Sequence, residues 1–307
     1  MEVEVLAGSA PQPWGVVTIW RRLQTSPTIF LIIPAGLLFL FFFFIPVGTL
    51  LVMSFNPTAK GAIQLQSAFT IEHYLRFFTR SVYLRALLNS LELGAITTVV
   101  SLLLAYPLAY VVAKTKHPGR NTLLMILVLI PLQIDQLVRA YGLMALLGDN
   151  GVINATLLER GIIASPLPLM YNTLGIVIGL TQVTIPFMVL SLVGIIRRID
   201  VSLEEAARNL GASQARTFWH ITLPLSMPGI LAGSLLVFAL TISNFVVPIL
   251  LGGSNVVVVP MWIYKLIAEI NNWQFAAAVS AILLLTSLLV VYGYHRVVEL
   301  YMGASLR

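Results

Sequence analysis

Of the 307 residues, 58% are hydrophobic and 10% charged, against roughly 25% charged in an ordinary soluble domain, so water is not the main solvent of this chain. The net charge of +6 comes from 18 basic residues in short clusters between apolar blocks. That placement marks the cytoplasmic side of a membrane and excludes the continuous basic face of a nucleic-acid-binding domain. There is no cysteine, which excludes disulfides, thiolate metal sites and thiol nucleophiles.

In chain order, residues 1–27 form an N-terminal segment ending after Arg21 and Arg22. The apolar run from Thr28 to Phe55 is longer than the roughly 7–15 residues of a cleavable signal core and is expected to be retained. Crossing about 30 Å of hydrocarbon takes roughly 20 apolar residues in a helix. Six segments meet that requirement, near 28–53, 87–113, 121–146, 173–196, 226–250 and 275–297. The expected fold is therefore all-α, a six-span membrane domain over 28–300 with a tail at 301–307. Prolines 34, 46, 107, 131, 186 and 248 interrupt the spans, which membrane helices tolerate when neighbours satisfy the freed backbone groups. Between the first two spans, ITIEHYLRFF predicts a short interfacial helix.

With the N-terminus inside, eleven basic residues fall on inner segments and six on outer ones, which favours cytoplasmic termini. The outer stretch from Lys60 to Arg85 runs against the bias.

Ionisable residues inside the spans are Glu92, Asp135 and Arg139, with His295 near the last end. Asp135 and Arg139 stand four apart, on one helical face, where they either contact a translocated solute or pair with each other. Glu92 poses the same choice nearer the outer end of its span. Asn244 and Phe245 fall in the middle of the fifth span, where a polar amide either lines a path or bonds a neighbouring helix. Tyr106, Tyr110 and Tyr141 offer faces to a cation, although anchoring is the commoner use of tyrosine here. The Phe41–Phe44 run is a lipid-facing or packing surface.

No phosphate-binding GxxxxGK[ST] loop is present, and none of the four lysines follows a glycine. No hydrophilic stretch exceeds about 35 residues, too short for a nucleotide-binding or ligand-receptor domain. ATP and its magnesium, if they drive this chain, bind a separate polypeptide. The four histidines are scattered and neither HExxH nor GxSxG occurs, so no metal site and no enzyme is expected.

The most specified segment is RRIDVSLEEAARNLGASQARTFWHITLPLSMPGI, residues 197–230. Ser202 with Glu205 three residues on reads as a capping box that starts a helix, with Glu204 and Glu205 in its first turn. Gly211 suits the left-handed residue that stops that helix, Ser213 suits the cap of a second, and Pro224 and Pro228 lead into the fifth span. Ala206 and Ala207 leave a low-profile patch rimmed by Glu205 and Arg208, suited either to a socket on a soluble partner or to a membrane surface.

Glu205, Ala206, Ala207, Gly211, Ile221, Leu223 and Pro224 fill every place of the pattern Glu-Ala-Ala, three residues, Gly, nine residues, Ile, any, Leu-Pro. The segment thereby resembles the EAA loop of permeases in type I ATP-binding-cassette importers. The resemblance extends over about 28–300. Tyr106-Pro107-Leu108-Ala109, LLGDNGVIN at 146–154, PLPLMY at 166–171 and LLGGS at 250–254 are similar to the branch importing spermidine and putrescine. Relatives in that branch often carry an acidic residue before the phenylalanine of the fifth span, whereas this chain has Ser243 and Asn244 before Phe245. The branch also includes permeases for opines, aminophosphonates, amino-acid derivatives and metal complexes. The resemblance implies a permease of the bacterial inner membrane that couples through residues 197–225 to an ATPase dimer, beside a second permease subunit and an extracytoplasmic binding protein. A gradient-driven secondary transporter, the rival reading, would show repeats and discontinuous helices near the midplane and would place no demand on that loop.

Overall fold

The computed structural model describes residues 28–58 and 68–305, with side chains described over 33–58 and 68–296. The expected segment 1–27, Lys60 and Arg307 lie outside the described residues. Contacts divide the chain into a unit ending at Val52 and a unit from Met53 onward.

In the first unit, helix α1 (Thr28–Phe39) passes through a π-helical turn at Leu40–Phe44 into α2 (Ile45–Met53). Its phenylalanines pack on one another, Phe39 stacking on Phe43 at 4.9 Å, while Phe42 remains 78% exposed. An all-apolar helix of this kind suits a lipid-facing or packing surface.

The regular elements among the described residues of the second unit are all helices. The predicted surface helix forms as α3 (Glu72–Thr79), burying His73 and Phe77. Then come α4 (Ser81–Lys114), α5 (Pro118–Gln133), α6 (Gln136–Leu147) and α7 (Val152–Glu159). Next are α8 (Thr173–Ile196), α9 (Val201–Asn209) and α10 (Gln214–Thr217). A π-helical turn at Phe218–Thr222 leads to α11 (Leu223–Leu225) and α12 (Met227–Ile242). After a second π-helical stretch at Pro248–Gly252 follow α13 (Val259–Ala268) and α14 (Trp273–Ser305).

The core is the packing of α4, α8 and α12. Small residues set how closely these helices approach: a Cβ on Gly94 would meet the Phe238 ring at 2.7 Å, and one on Gly233 would meet Met188 Sδ at 2.6 Å. Ser101 and Thr184 exchange a buried hydrogen bond at 2.9 Å between α4 and α8. At one end of the unit α13 packs on α14, and Ser90 and Asn89 of α4 hold the segment before it through Val259 N and Val257 O.

Among the described residues four helices are long and apolar enough to cross a membrane, and there are up to six candidate crossings if each of two bent pairs, Pro118–Gln133 with Gln136–Glu159 and Gln214–Leu225 with Met227–Ile242 (bent by 62°), is one span. Two expected spans are not continuous. The third breaks between Gln133 and Gln136, where the chain turns by 98° into α6 and α7. Asp135 takes extended backbone there, and its carboxylate accepts from Leu137 N at 2.8 Å. A short acidic side chain serves better as a helix cap than inside a helix, and Pro131 has already removed one backbone donor. The fifth breaks after Ile242, and Asn244 Oδ1 caps the following turn by accepting from Val247 N at 3.1 Å. Boundaries also shift at both long helices: α4 begins six residues before the expected 87, and α14 continues past 297 into the expected tail. At 1.5 Å per residue the 34 residues of α4 span about 51 Å, more than hydrocarbon alone requires.

Candidate functional site: a coupling loop and a cavity at the broken spans

The 197–225 loop folds as two short helices around a glycine, as its local chemistry requires. Gly211 has φ +85°, and Ala212 N bonds to Ala207 O at 3.0 Å while Gly211 N bonds to Arg208 O at 2.9 Å. These two bonds are the Schellman closure, which needs a residue without Cβ strain at the left-handed position. Ser213 caps α10 by accepting from Arg216 N at 3.3 Å.

The start of α9 differs from the expected capping box. Asp200, not Ser202, is the N-cap, accepting from Ser202 N at 2.9 Å. Hydrogen bonds from the Ser202 amide, and then from its hydroxyl, hold the Asp200 carboxyl below its ordinary value. An ionised Asp is as good a cap as Ser and also complements the helix dipole, so the helix starts two residues earlier. Glu204 then occupies the first turn and Glu205 does not.

Neighbouring helix positions point about 100° apart, so the two glutamates part company. Glu205, Ala206 and Arg208 are exposed and Ala207 is half-buried, with Leu210 beside them 90% exposed. Ile221 and Leu223 are half-buried under the loop and Pro224 is exposed. Glu204, which carried no individual role in the motif, turns inward and is only 4% exposed. Its Oε1 accepts from Lys114 Nζ at 2.8 Å, at the last residue of α4, and from Thr222 Oγ1 at 2.8 Å, just before α11. Burial pushes the Glu204 carboxyl upward, but the hydrogen bonds from Lys114 and Thr222 and the charges of Lys114 and Arg208 outweigh it and leave it below the ordinary value. More ties meet at this end. Tyr106 and Ser226 share a hydrogen bond at 2.8 Å, and Tyr106 and Tyr110 both pack edge-on against Phe218 at 5.6 and 5.8 Å. Arg197 donates to Asn121 at 2.8 Å, and Asn121 donates to Val112 O at 2.7 Å. Two of the three candidate cation-binding tyrosines are therefore loop anchors.

The second feature lies where the third and fifth spans break. Leu132, Gln136, Arg139, Ser243, Asn244 and Phe245 line a half-open cavity of about 360 Å³ together with α8. Arg139, Asn244 and Phe245, far apart in sequence, thus meet as candidate path residues. Arg139 Nε and Nη1 and Gln136 Nε2 are buried with no hydrogen-bond partner, and no acidic side chain lines the space. Of the two alternatives for Asp135 and Arg139, the ion pair is not formed: the Asp135 carboxylate caps α6 and is itself exposed. Glu92 is exposed on α4, with no ion pair among the described residues, and Tyr141 is 57% exposed; neither lines this cavity. Phe245 stacks on Tyr264 at 5.4 Å, and a neighbouring cavity of about 340 Å³ carries Trp262, Tyr264, Lys265 and Glu269.

Residues 94–302 match the family described as binding-protein-dependent transport system inner membrane component. The chain belongs to that family. The spermidine/putrescine transport system permease protein PotB of Haemophilus influenzae is 37% identical over 84% of this chain and 89% of its own length. PotB of Escherichia coli is also 37% identical, over 83% and 92%. The molybdenum transport system permease protein ModB of Mycobacterium bovis is 33% identical over 68% and 77%. The crystal structure of a bacterial ABC transporter importing the acidic polysaccharide alginate shares the fold, with TM-score 0.74 at 19% identity, covering 91% of this chain and 98% of that one. This permease is the membrane component of an ABC importer.

Proposed function

We propose that this permease pairs with a second permease subunit, seats α9 on an ATPase dimer that binds ATP and magnesium, and passes a polyamine delivered by an extracytoplasmic binding protein. Both termini and the 197–225 loop then lie in the cytoplasm. The observation that carries the coupling role is the shape of the loop: a face of exposed Glu205, Ala206 and Arg208 with half-buried Ala207, closed by a left-handed glycine, on a helix tied to α4 and to the turn before α11. Two such permeases enclosing a path would convert closure and opening of the ATPase into alternating access.

The polyamine assignment is supported by the two spermidine/putrescine relatives; in the neighbouring cavity the Glu269 carboxylate suits an organic cation, while Lys265 already sits over the Trp262 ring at 5.5 Å. A solute bearing an anionic or acceptor group is the second reading, favoured by the unpaired Arg139 and Gln136 donors and the absence of an acid in the inner cavity. Uptake into cells carrying the whole transporter separates the two. Saturable spermidine uptake, unchanged or faster in Arg139→Gln, supports the first; loss of uptake of an acidic solute in Arg139→Gln, with no spermidine uptake at all, supports the second.

A further inference from the structure

The loop's deepest contact is one that its motif does not name. Glu204 Oε1 is shared by two donors, Lys114 Nζ and Thr222 Oγ1, each at 2.8 Å, so a single carboxylate oxygen joins the end of α4, helix α9 and the turn that starts the fifth span. Those segments are far apart in sequence, and the loop's other ties, Tyr106 to Ser226 and Arg197 to Asn121, link the same end of the unit. A buried ion pair is seldom more stable than a well-packed apolar pair of the same volume, so stability alone is a poor reason for this one; its better-attested use is to fix one register among several. A shared acceptor also constrains direction, since sliding α9 by even a fraction of a helical turn would pull one donor beyond hydrogen-bond reach.

We propose that Glu204 is a positioning residue that locks α9, the end of α4 and the start of the fifth span into one body, so that displacement of α9 moves both spans together. The proposal rests on α9 being the helix that the ATPase moves. An apolar replacement of the pair would pack but would let α9 slip against α4, so hydrolysis would continue while the spans moved less.

The chain has no cysteine, so Ser202→Cys and Lys116→Cys place two spin labels on exposed positions of α9 and just beyond α4 without further changes. Distances are measured by pulsed electron resonance in the complete complex with its second permease and ATPase, nucleotide-free and trapped with ATP and vanadate. The distance is expected to be the same in both states with Glu204 and Lys114 intact. It should shift or broaden between states in Glu204→Leu with Lys114→Leu, and narrow again in the charge swap Glu204→Lys with Lys114→Glu. An unchanged distance in the double leucine variant overturns the proposal; if that variant fails to assemble, Glu204→Gln decides in the same way. Failure of the docking reading registers separately, as a label on Ser202→Cys whose mobility is indifferent to the ATPase.

Discussion

The two polar regions of this unit stand in opposite states. At the loop end, the polar side chains of Glu204, Lys114, Thr222, Tyr106 and Ser226 all find partners. At the broken spans, Arg139 and Gln136 keep buried donors without acceptors beside a cavity of about 360 Å³. An unsatisfied buried donor costs about 1–3 kcal/mol and more when charged, so these donors call for water or a solute in the cavity. On the proposed function, the satisfied region is the mechanical joint and the unsatisfied one part of the path.

Substitutions at the two regions should therefore act in different ways. The largest effect is expected for Gly211→Pro, since φ +85° is closed to proline and the Schellman bonds would be lost; uptake should fall more than tenfold while the protein still reaches the membrane, as measured by transport assay and immunoblot. Next, Lys114→Leu alone strands the Glu204 carboxylate and should cost about 2 kcal/mol, seen as a lower melting temperature of the purified chain. The opposite sign is expected at Arg139→Gln, where removing an unpaired buried guanidinium should leave the melting temperature of the purified chain unchanged or raise it. A fall there equal to that of Lys114→Leu would erase the distinction between the regions. Smallest is Tyr106→Phe, which gives up one neutral hydrogen bond and should cost about 1 kcal/mol in the same measurement.

Local rules made the loop legible before any coordinates. A glycine at the end of a short helix, a serine cap and paired prolines are near-neighbour signals, and Gly211 and Ser213 do what those signals require. Asp200 outcompeted Ser202 as a cap because both are good caps two residues apart, and sequence spacing alone does not rank them. Glu204 was hidden for another reason: its partners lie 90 positions upstream and 18 downstream, at Lys114 and Thr222, and only packing brings them together. The buried face of α9, Glu204 with Ala207 three residues on, was the one available hint. Hydropathy found the apolar segments of the four to six candidate crossings but averaged over the breaks at Asp135 and Asn244, since a polar residue that caps a helix looks the same in such an average as one that merely interrupts it. The same averaging placed Asp135 and Arg139 on one continuous helix and left open a solute contact or an ion pair, of which the capping role of Asp135 removes the pair.

On the proposed function this permease is driven by ATP hydrolysed on another subunit. The direct measurement is spermidine accumulation by proteoliposomes containing the permease pair and ATPase, supplied with spermidine-loaded binding protein, with ATP hydrolysis followed in parallel. Hydrolysis stimulated by the loaded binding protein, with uptake that stops when ATP is withheld, is the predicted result. Uptake that persists without ATP and follows an imposed ion gradient would contradict it.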